Sequence, residues 1–169
     1  MGGGRHAPWP PLDVHSRRLD HLQLISVVEK GADDPDVQGA LVRYLVVRSA
    51  GFVEASRDAL AAGHAQEQSS PRVHARVKSG LSTGLGVRPA QLKDFLNTFD
   101  PDWATDFAGW SSGEDGRVSG DLGALVDARK KIAHGVGAKV GKEQALRWAA
   151  TATKVVDWLT LRMDPSKQA

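Results

Sequence analysis

Residues 37–62 read VQGALVRYLVVRSAGFVEASRDALAA, a long stretch without proline. Leu41, Leu45, Phe52, Ala55 and Ala59 fall on one stripe when successive residues are turned by about 100°. This spacing predicts the longest helix of the chain, with one apolar face directed towards a core.

Further helices are predicted on both sides of this stretch. They cover residues 16–30, 71–82, 119–133 and 142–163. Strand signals are nearly absent, because no segment alternates apolar and polar side chains over more than a few positions. We therefore expect an all-α fold, an up-and-down bundle of four to five helices. Pro89 and Pro101 predict an irregular helical insert over residues 84–117.

The chain of 169 residues has room for one compact domain. Glycines and prolines dominate its first residues, so we expect a flexible N-terminal segment at 1–15. The helical domain is then predicted to cover residues 16–164, followed by a tail at 165–169.

Composition excludes several classes of site. The chain has no cysteine, which rules out disulfides, thiolate metal sites and cysteine nucleophiles. No histidine has the i, i+4 spacing with acids that metal sites use, so we predict no metal site and no cofactor. No apolar run approaches the roughly 20 residues of a membrane span, and no export or lipidation signal is visible. We expect a cytoplasmic protein without a membrane partner.

The most informative segment is LGALVDARKKIAHG, residues 122–135. With Leu122 at 0° on a helical wheel, Leu125 lies at about 300°, Val126 at about 40° and Arg129 at about 340°. Arg129 is thus placed within the apolar stripe. An arginine there has to pair with a buried acid or face a groove or a partner chain.

His134 follows in the last turn, where the helix dipole favours a protonated imidazole. Cleavage of a phosphodiester needs both groups: a cation to hold the phosphate, and a group that moves the 2′-hydroxyl proton. Spacing alone leaves an alternative open, in which His134 is a capping residue and Arg129 a core arginine paired with an acid. Residues 127–147 carry six basic and two acidic side chains, a net charge of +4 that would attract an anion.

RKKIAHG, residues 129–135, resembles the Arg-x4-6-His motif of HEPN domains (higher eukaryotes and prokaryotes nucleotide-binding). Residues 43–56 are similar to the long helix that precedes the motif in the ribonuclease-LS-like (RiboL-PSP) branch. Residues 95–103 and the final helix also look similar, so that the resemblance covers residues 37–162.

The resemblance implies a helical bundle that dimerises with its motif helices facing each other. Arg129 and His134 of both chains would line one cleft, as in a metal-independent endoribonuclease that leaves a 2′,3′-cyclic phosphate. By this analogy His134 acts on the 2′-hydroxyl and Arg129 holds the scissile phosphate. The family also implies a toxin or anti-phage defence effector, with an antitoxin or regulatory protein as a possible partner.

Four further positions need separate interpretations. Lys130 stands where the family often has a small polar residue such as Asn, although Lys130 and Lys131 both suit RNA binding. Glu54 is expected either to orient Arg129 or His134, or to be an ordinary helix acid. Arg48 falls within the apolar stripe of its helix, and we interpret it as a structural partner of a buried acid in preference to a ligand of the substrate.

Two other functions are compatible with the sequence. One is a catalytically inactive HEPN module that binds RNA or a partner protein through the same basic surface. The other is a helical adaptor in which Arg129 belongs to a protein interface and no nucleic acid is involved.

Overall fold

A computed structural model describes residues 8–81, 86–137 and 139–167, with the side chains of residues 114 and 115 excepted. These residues form helices and contain no β-strand, which confirms the all-α prediction. The helices are α1 (Leu12–Lys30), α2 (Pro35–Gln68), α3 (Pro71–Leu81), α4 (Pro89–Asn97), α5 (Pro101–Ala133), α6 (Lys142–Arg162) and a short 3-10 helix (Pro165–Lys167). The described part of the chain therefore has more helices than the four to five predicted.

Helix α2 is the centre of the bundle and packs against α1, α3, α5 and α6. It begins where Pro35 follows Asp34, whose carboxylate accepts hydrogen bonds from the backbone of Asp36 and Val37. Its buried side chains include Val46, Val53 and Leu60, none of which is exposed. The core face of α2 is thus established by its β-branched and leucine positions.

The predicted stripe of α2 is displaced from the observed one. Leu45 and Phe52 are buried, but Leu41, Ala55 and Ala59 are only half-buried. The buried face is wide because α2 has neighbours on several sides, and Leu41 and Ala59 pack against the core from the edge of this face.

Long-range contacts establish an up-and-down arrangement. His21 of α1 donates a hydrogen bond to the Ala149 carbonyl of α6, and Arg18 pairs with Asp157 further along α6, so these helices are antiparallel. Helices α2 and α5 are also antiparallel, because Glu54 of α2 meets Arg129 while His64, further along α2, packs edge-on against Trp103.

The domain extends further towards the N-terminus than the predicted start at residue 16. Helix α1 begins at Leu12, after Pro11. Before it, the Trp9 indole donates a hydrogen bond of 2.9 Å to the Thr160 carbonyl and packs against the core. The predicted flexibility of residues 1–7 lies outside the described residues. At the other end, the backbone of Pro165 accepts a hydrogen bond from Gln68.

The expected irregular insert is wrong for most of residues 84–117. Two regular helices occupy the described part of it, since Pro89 and Pro101 stand at the first turns of α4 and α5, where proline is tolerated. The carboxylate of Asp100 caps α5 by accepting from the Asp102 backbone. Residues 84 and 85 lie outside the described residues.

Helix α5 runs from the predicted insert into the predicted helix at 119–133 without a break. Gly116 has a φ of 71°, a left-handed value that a side chain would disfavour, so the backbone is distorted there without ending the helix. Buried Trp103 and Phe107 on one side, and Val118 and Leu122 on the other, hold both halves against the bundle. None of the helices in the described residues combines the length and apolar character needed to cross a membrane.

Candidate active site

The last turns of α5 carry the residues of the predicted motif. Leu122 and Leu125 are fully buried and Ala128 nearly so, which anchors this part of α5 in the core. Arg129 follows directly and lies at the edge of the buried face, with 38% of its side chain exposed. The prediction that Arg129 sits beside apolar residues is therefore consistent with the structure, but the guanidinium still reaches solvent.

Arg129 forms an ion pair with Glu54 of α2. Its Nη1 donates to the Glu54 Oε1 at 2.5 Å, and 27% of the Glu54 side chain is exposed. A charge-assisted hydrogen bond of this kind fixes the direction of the guanidinium better than a bond between neutral groups. The structure thus brings together two of the predicted site residues.

His134 ends α5 as its C-cap residue, with a backbone φ of −90° and ψ of 7°. The helix stops here because Gly135 adopts a φ of 68°, and the Val136 amide turns back to the Lys131 carbonyl at 3.0 Å. The imidazole is exposed, and it makes no hydrogen bond or ion pair with the residues that the structure describes.

No hydrogen bond joins Arg129 and His134 among the residues that the structure describes. His134 comes five positions after Arg129, which corresponds to about 140° around an ideal helix and roughly 7.5 Å along it. The protomer therefore presents both groups near one end of α5.

Lys130 and Lys131 are exposed on the same end of α5. They lie close to Asp127, which is ion-paired with Arg88 at the start of α4. The Arg88 hydrogen bond holds the pKa of Asp127 below its usual value, and the charges of Lys131 and Lys130 act in the same direction. This carboxylate stays ionised and partly offsets the positive charge of the surface.

The interpretation of Arg48 as partner of a buried acid is wrong. Its side chain is exposed on α2 and makes no ion pair with a described carboxylate. Its guanidinium lies 6.0 Å from the ring centroid of Tyr44, one turn earlier. Arg48 is exposed because the buried face of α2 is centred away from the predicted stripe.

The structure identifies instead a buried arginine that the sequence analysis missed. Arg57 is 1% exposed, pairs with Asp58 at 2.6 Å and donates to the Gly86 carbonyl at 2.8 Å. Its guanidinium also lies 5.3 Å from the Phe95 ring centroid. These contacts join α2 to the start of α4, so Arg57 is a structural residue. Its position between Val53 and Leu60 on the buried face was the available signal.

Two histidines are buried in the bundle and have no place in the motif. His64 donates to the Met163 carbonyl at 2.9 Å, and His21 stacks on Phe52 with ring centroids 4.5 Å apart. Burial lowers the pKa of both imidazoles. They are therefore neutral core residues near pH 7.

Among the described residues, no group of three or more histidine, aspartate or glutamate side chains is arranged to hold a metal ion. The groups available for chemistry at the end of α5 are the guanidinium of Arg129 with its Glu54 carboxylate, the His134 imidazole and two lysine ammonium groups. Protein-family models, curated proteins and solved structures were each compared with the chain, and none of them matches it. The functional assignment accordingly rests on the residues themselves.

Proposed function

We propose that the chain is a metal-independent endoribonuclease of the HEPN type. The observation that carries this proposal is the arrangement at the end of α5, where Arg129 is oriented by Glu54 and the His134 imidazole is exposed. Lys130 and Lys131 are exposed in the same turns of α5, and their positive charge suits an RNA backbone.

The reaction follows from the roles of the two motif side chains. His134 accepts the proton of the 2′-hydroxyl, whose oxygen then attacks the adjacent phosphorus. Arg129 stabilises the negative charge that develops on the phosphate oxygens. The bond from phosphorus to the 5′-oxygen breaks, that oxygen takes up a proton from water, and His134 returns the proton that it accepted to the solvent. The products are a 2′,3′-cyclic phosphate and a 5′-hydroxyl end.

The proposal includes a homodimer with a composite site. No hydrogen bond joins Arg129 to His134 in the described part of the chain, and a cleft that faces a second copy of α5 would bring both groups to one phosphate. Val136, directly after the motif, is 58% exposed and is available for an apolar contact with the second chain. By the same family analogy, we propose a cytoplasmic toxin or anti-phage effector that an antitoxin or regulatory protein controls.

A second candidate is a catalytically inactive HEPN module that binds RNA or a partner protein. The observation in its favour is that Glu54 already holds one donor group of Arg129, which lowers the charge available to a phosphate. Lys130, in place of a small polar residue, also leaves a hydrogen-bonding role unfilled.

Cleavage and binding measurements on the same RNA separate the two candidates. The nuclease predicts that His134→Ala abolishes cleavage in the presence of a chelator while RNA affinity changes little. The inactive module predicts salt-dependent RNA binding and no cleavage by the wild type. Full cleavage by His134→Ala would remove the assignment of the imidazole.

A further inference from the structure

A second cleft opens between α1 and α2. It has a volume of about 230 Å³. Its walls include Arg17, Asp20 and His21 of α1 and Val47, Arg48 and Phe52 of α2. We call it the α1–α2 cleft. It is large enough for a phosphate group and part of a ribose, and none of the predicted site residues lies in it.

The positive charge of the cleft comes from two arginines. Arg48 is exposed without an ion pair to a described carboxylate, and Arg17 is exposed with only a distant partner, Asp13 at 3.9 Å. His21 adds no charge near pH 7, because burial lowers its pKa and the neighbouring Arg48 charge acts in the same direction. The guanidiniums of Arg17 and Arg48 are therefore the groups available to an anion.

An aromatic side chain stands next to this charge. Tyr44 is 52% exposed, one turn before Arg48 on α2, and the Arg48 guanidinium lies 6.0 Å from its ring centroid. Exposed aromatic rings beside arginines are typical of surfaces that bind single strands, where bases stack on the ring and the backbone follows the charge.

The cleft and the Glu54–Arg129 ion pair share helix α2. Arg48 precedes Glu54 by six positions, which is about 9 Å along the helix axis and about 120° around it. Gly51 is part of the cleft wall, and a Cβ atom placed on it would meet nothing within 4 Å.

We propose that the α1–α2 cleft binds a backbone phosphate of single-stranded RNA through Arg17 and Arg48, with a neighbouring base stacked on Tyr44. This inference rests on the proposed function, since it names the form of RNA that reaches the active site. Bases in a duplex are already stacked on each other and cannot reach Tyr44, so the surface selects unpaired RNA.

Asp20 offers a test in which RNA affinity is expected to rise. Its carboxylate lines the same cleft as Arg17 and Arg48 and repels a phosphate bound there. Replacing Asp20 by Asn removes the negative charge at nearly constant shape. RNA affinity therefore rises in Asp20→Asn and falls in Arg17→Ala and Arg48→Ala.

The test measures binding of a labelled single-stranded RNA oligonucleotide by fluorescence anisotropy, with the full chain carrying His134→Ala so that the RNA stays intact. In this background Arg48→Ala weakens binding by about fivefold and lowers the slope of log Kd against log salt by about 0.7. Tyr44→Ala weakens binding with little change in slope. Arg72→Ala removes an exposed arginine of α3 outside the cleft and serves as the charge-matched control.

Several results overturn the inference. They are equal affinities of Arg48→Ala and Arg72→Ala, weaker binding by Asp20→Asn, equal binding of the oligonucleotide and its duplex, or no binding of RNA at all. Failure of the nuclease proposal is a separate outcome, because it appears as RNA binding with the predicted dependences while the wild type cleaves nothing. If the wild type cleaves RNA and the Arg48→Ala and Tyr44→Ala variants cleave it equally well, the proposal for the cleft is overturned and the nuclease proposal stands.

Discussion

The Arg129 guanidinium and the Glu54 carboxylate are 75 residues apart in the sequence and meet at 2.5 Å in the folded chain. Their ion pair joins α5 to α2 directly beside the exposed end of the motif helix. Because more than a quarter of each side chain is exposed, solvent screens the pair and its contribution to stability is small. Its main effect is to fix the direction in which Arg129 presents its remaining donors.

Removing the Glu54 carboxylate is expected to affect cleavage more than stability. Glu54→Ala frees the Arg129 side chain, so kcat falls by about tenfold because the phosphate is no longer held in one position. The free energy of unfolding changes by less than about 1 kcal/mol. Glu54→Gln recovers part of kcat, since its amide oxygen still accepts from Arg129. Steady-state cleavage kinetics and urea unfolding measure the two effects. An increase in cleavage by Glu54→Ala would show that the pair instead withholds Arg129 from RNA.

A composite site predicts complementation between two inactive variants. Arg129→Ala and His134→Ala are each inactive alone, but about half of the dimers in an equilibrated equimolar mixture contain one chain of each kind. Such dimers retain one intact arginine and one intact histidine in the shared cleft. Cleavage by the mixture, compared with the separate variants at the same total concentration, checks this. A mixture no more active than its components would argue against a shared cleft.

The buried histidines make stability depend on pH. The pKa values of His21 and His64 are lowered in the folded chain, so the unfolded chain, with histidine pKa values of about 6.5, binds more protons in the acidic range. Their contribution is full above about pH 6.5 and is lost as the pH falls towards the folded pKa values. The free energy of unfolding, measured by urea titration between about pH 7 and pH 5, therefore decreases.

Substitution identifies the groups responsible. His64→Gln lowers the pH slope of the unfolding free energy, whereas His15→Gln, at an exposed position of α1, leaves the slope as it is. The absolute stability of His64→Gln is not the criterion, because the substitution also alters the contact with the Met163 carbonyl. An unchanged slope in His64→Gln would contradict the account.

Arg57 is expected to be the arginine on which stability depends most. Arg57→Leu leaves the Asp58 carboxylate and the Gly86 carbonyl without this donor, at a cost of about 2 to 4 kcal/mol in unfolding free energy. Arg48→Ala, an exposed position on the same helix, costs less than about 0.5 kcal/mol. Urea unfolding of both variants measures the difference. Equal losses would mean that the burial of Arg57 has no energetic consequence.

The fold class and the principal helices were predictable because apolar residues recur at helical spacing along most of the chain. The length of α5 could not be predicted in this way. Its glycines at 109, 113, 116, 120 and 123 are typical of a broken segment, and only Gly116 takes up a left-handed conformation. Long-range packing of Trp103, Phe107 and Leu122 against the bundle overrides the local preference, and a wheel drawn on one segment does not contain that information.

Some features of the candidate site could likewise be predicted from the sequence, and others could not. Arg129 was placed beside the apolar stripe by periodicity alone, and its pairing with Glu54 was one of two interpretations that the sequence offered. The true direction of Arg48 and the burial of Arg57 could not be predicted, since the core face of α2 depends on where its four neighbouring helices pack. The proposed shared cleft involves a second chain, and the spacing of residues within one chain cannot predict such a cleft.

The nuclease proposal is tested most directly by cleavage of total RNA and transfer RNA with the wild type, Arg129→Ala and His134→Ala in the presence of a chelator, with analysis of the product ends. Cleavage is expected from the wild type alone, with 2′,3′-cyclic phosphate and 5′-hydroxyl ends. Equal cleavage by His134→Ala, or products with other ends, would contradict it.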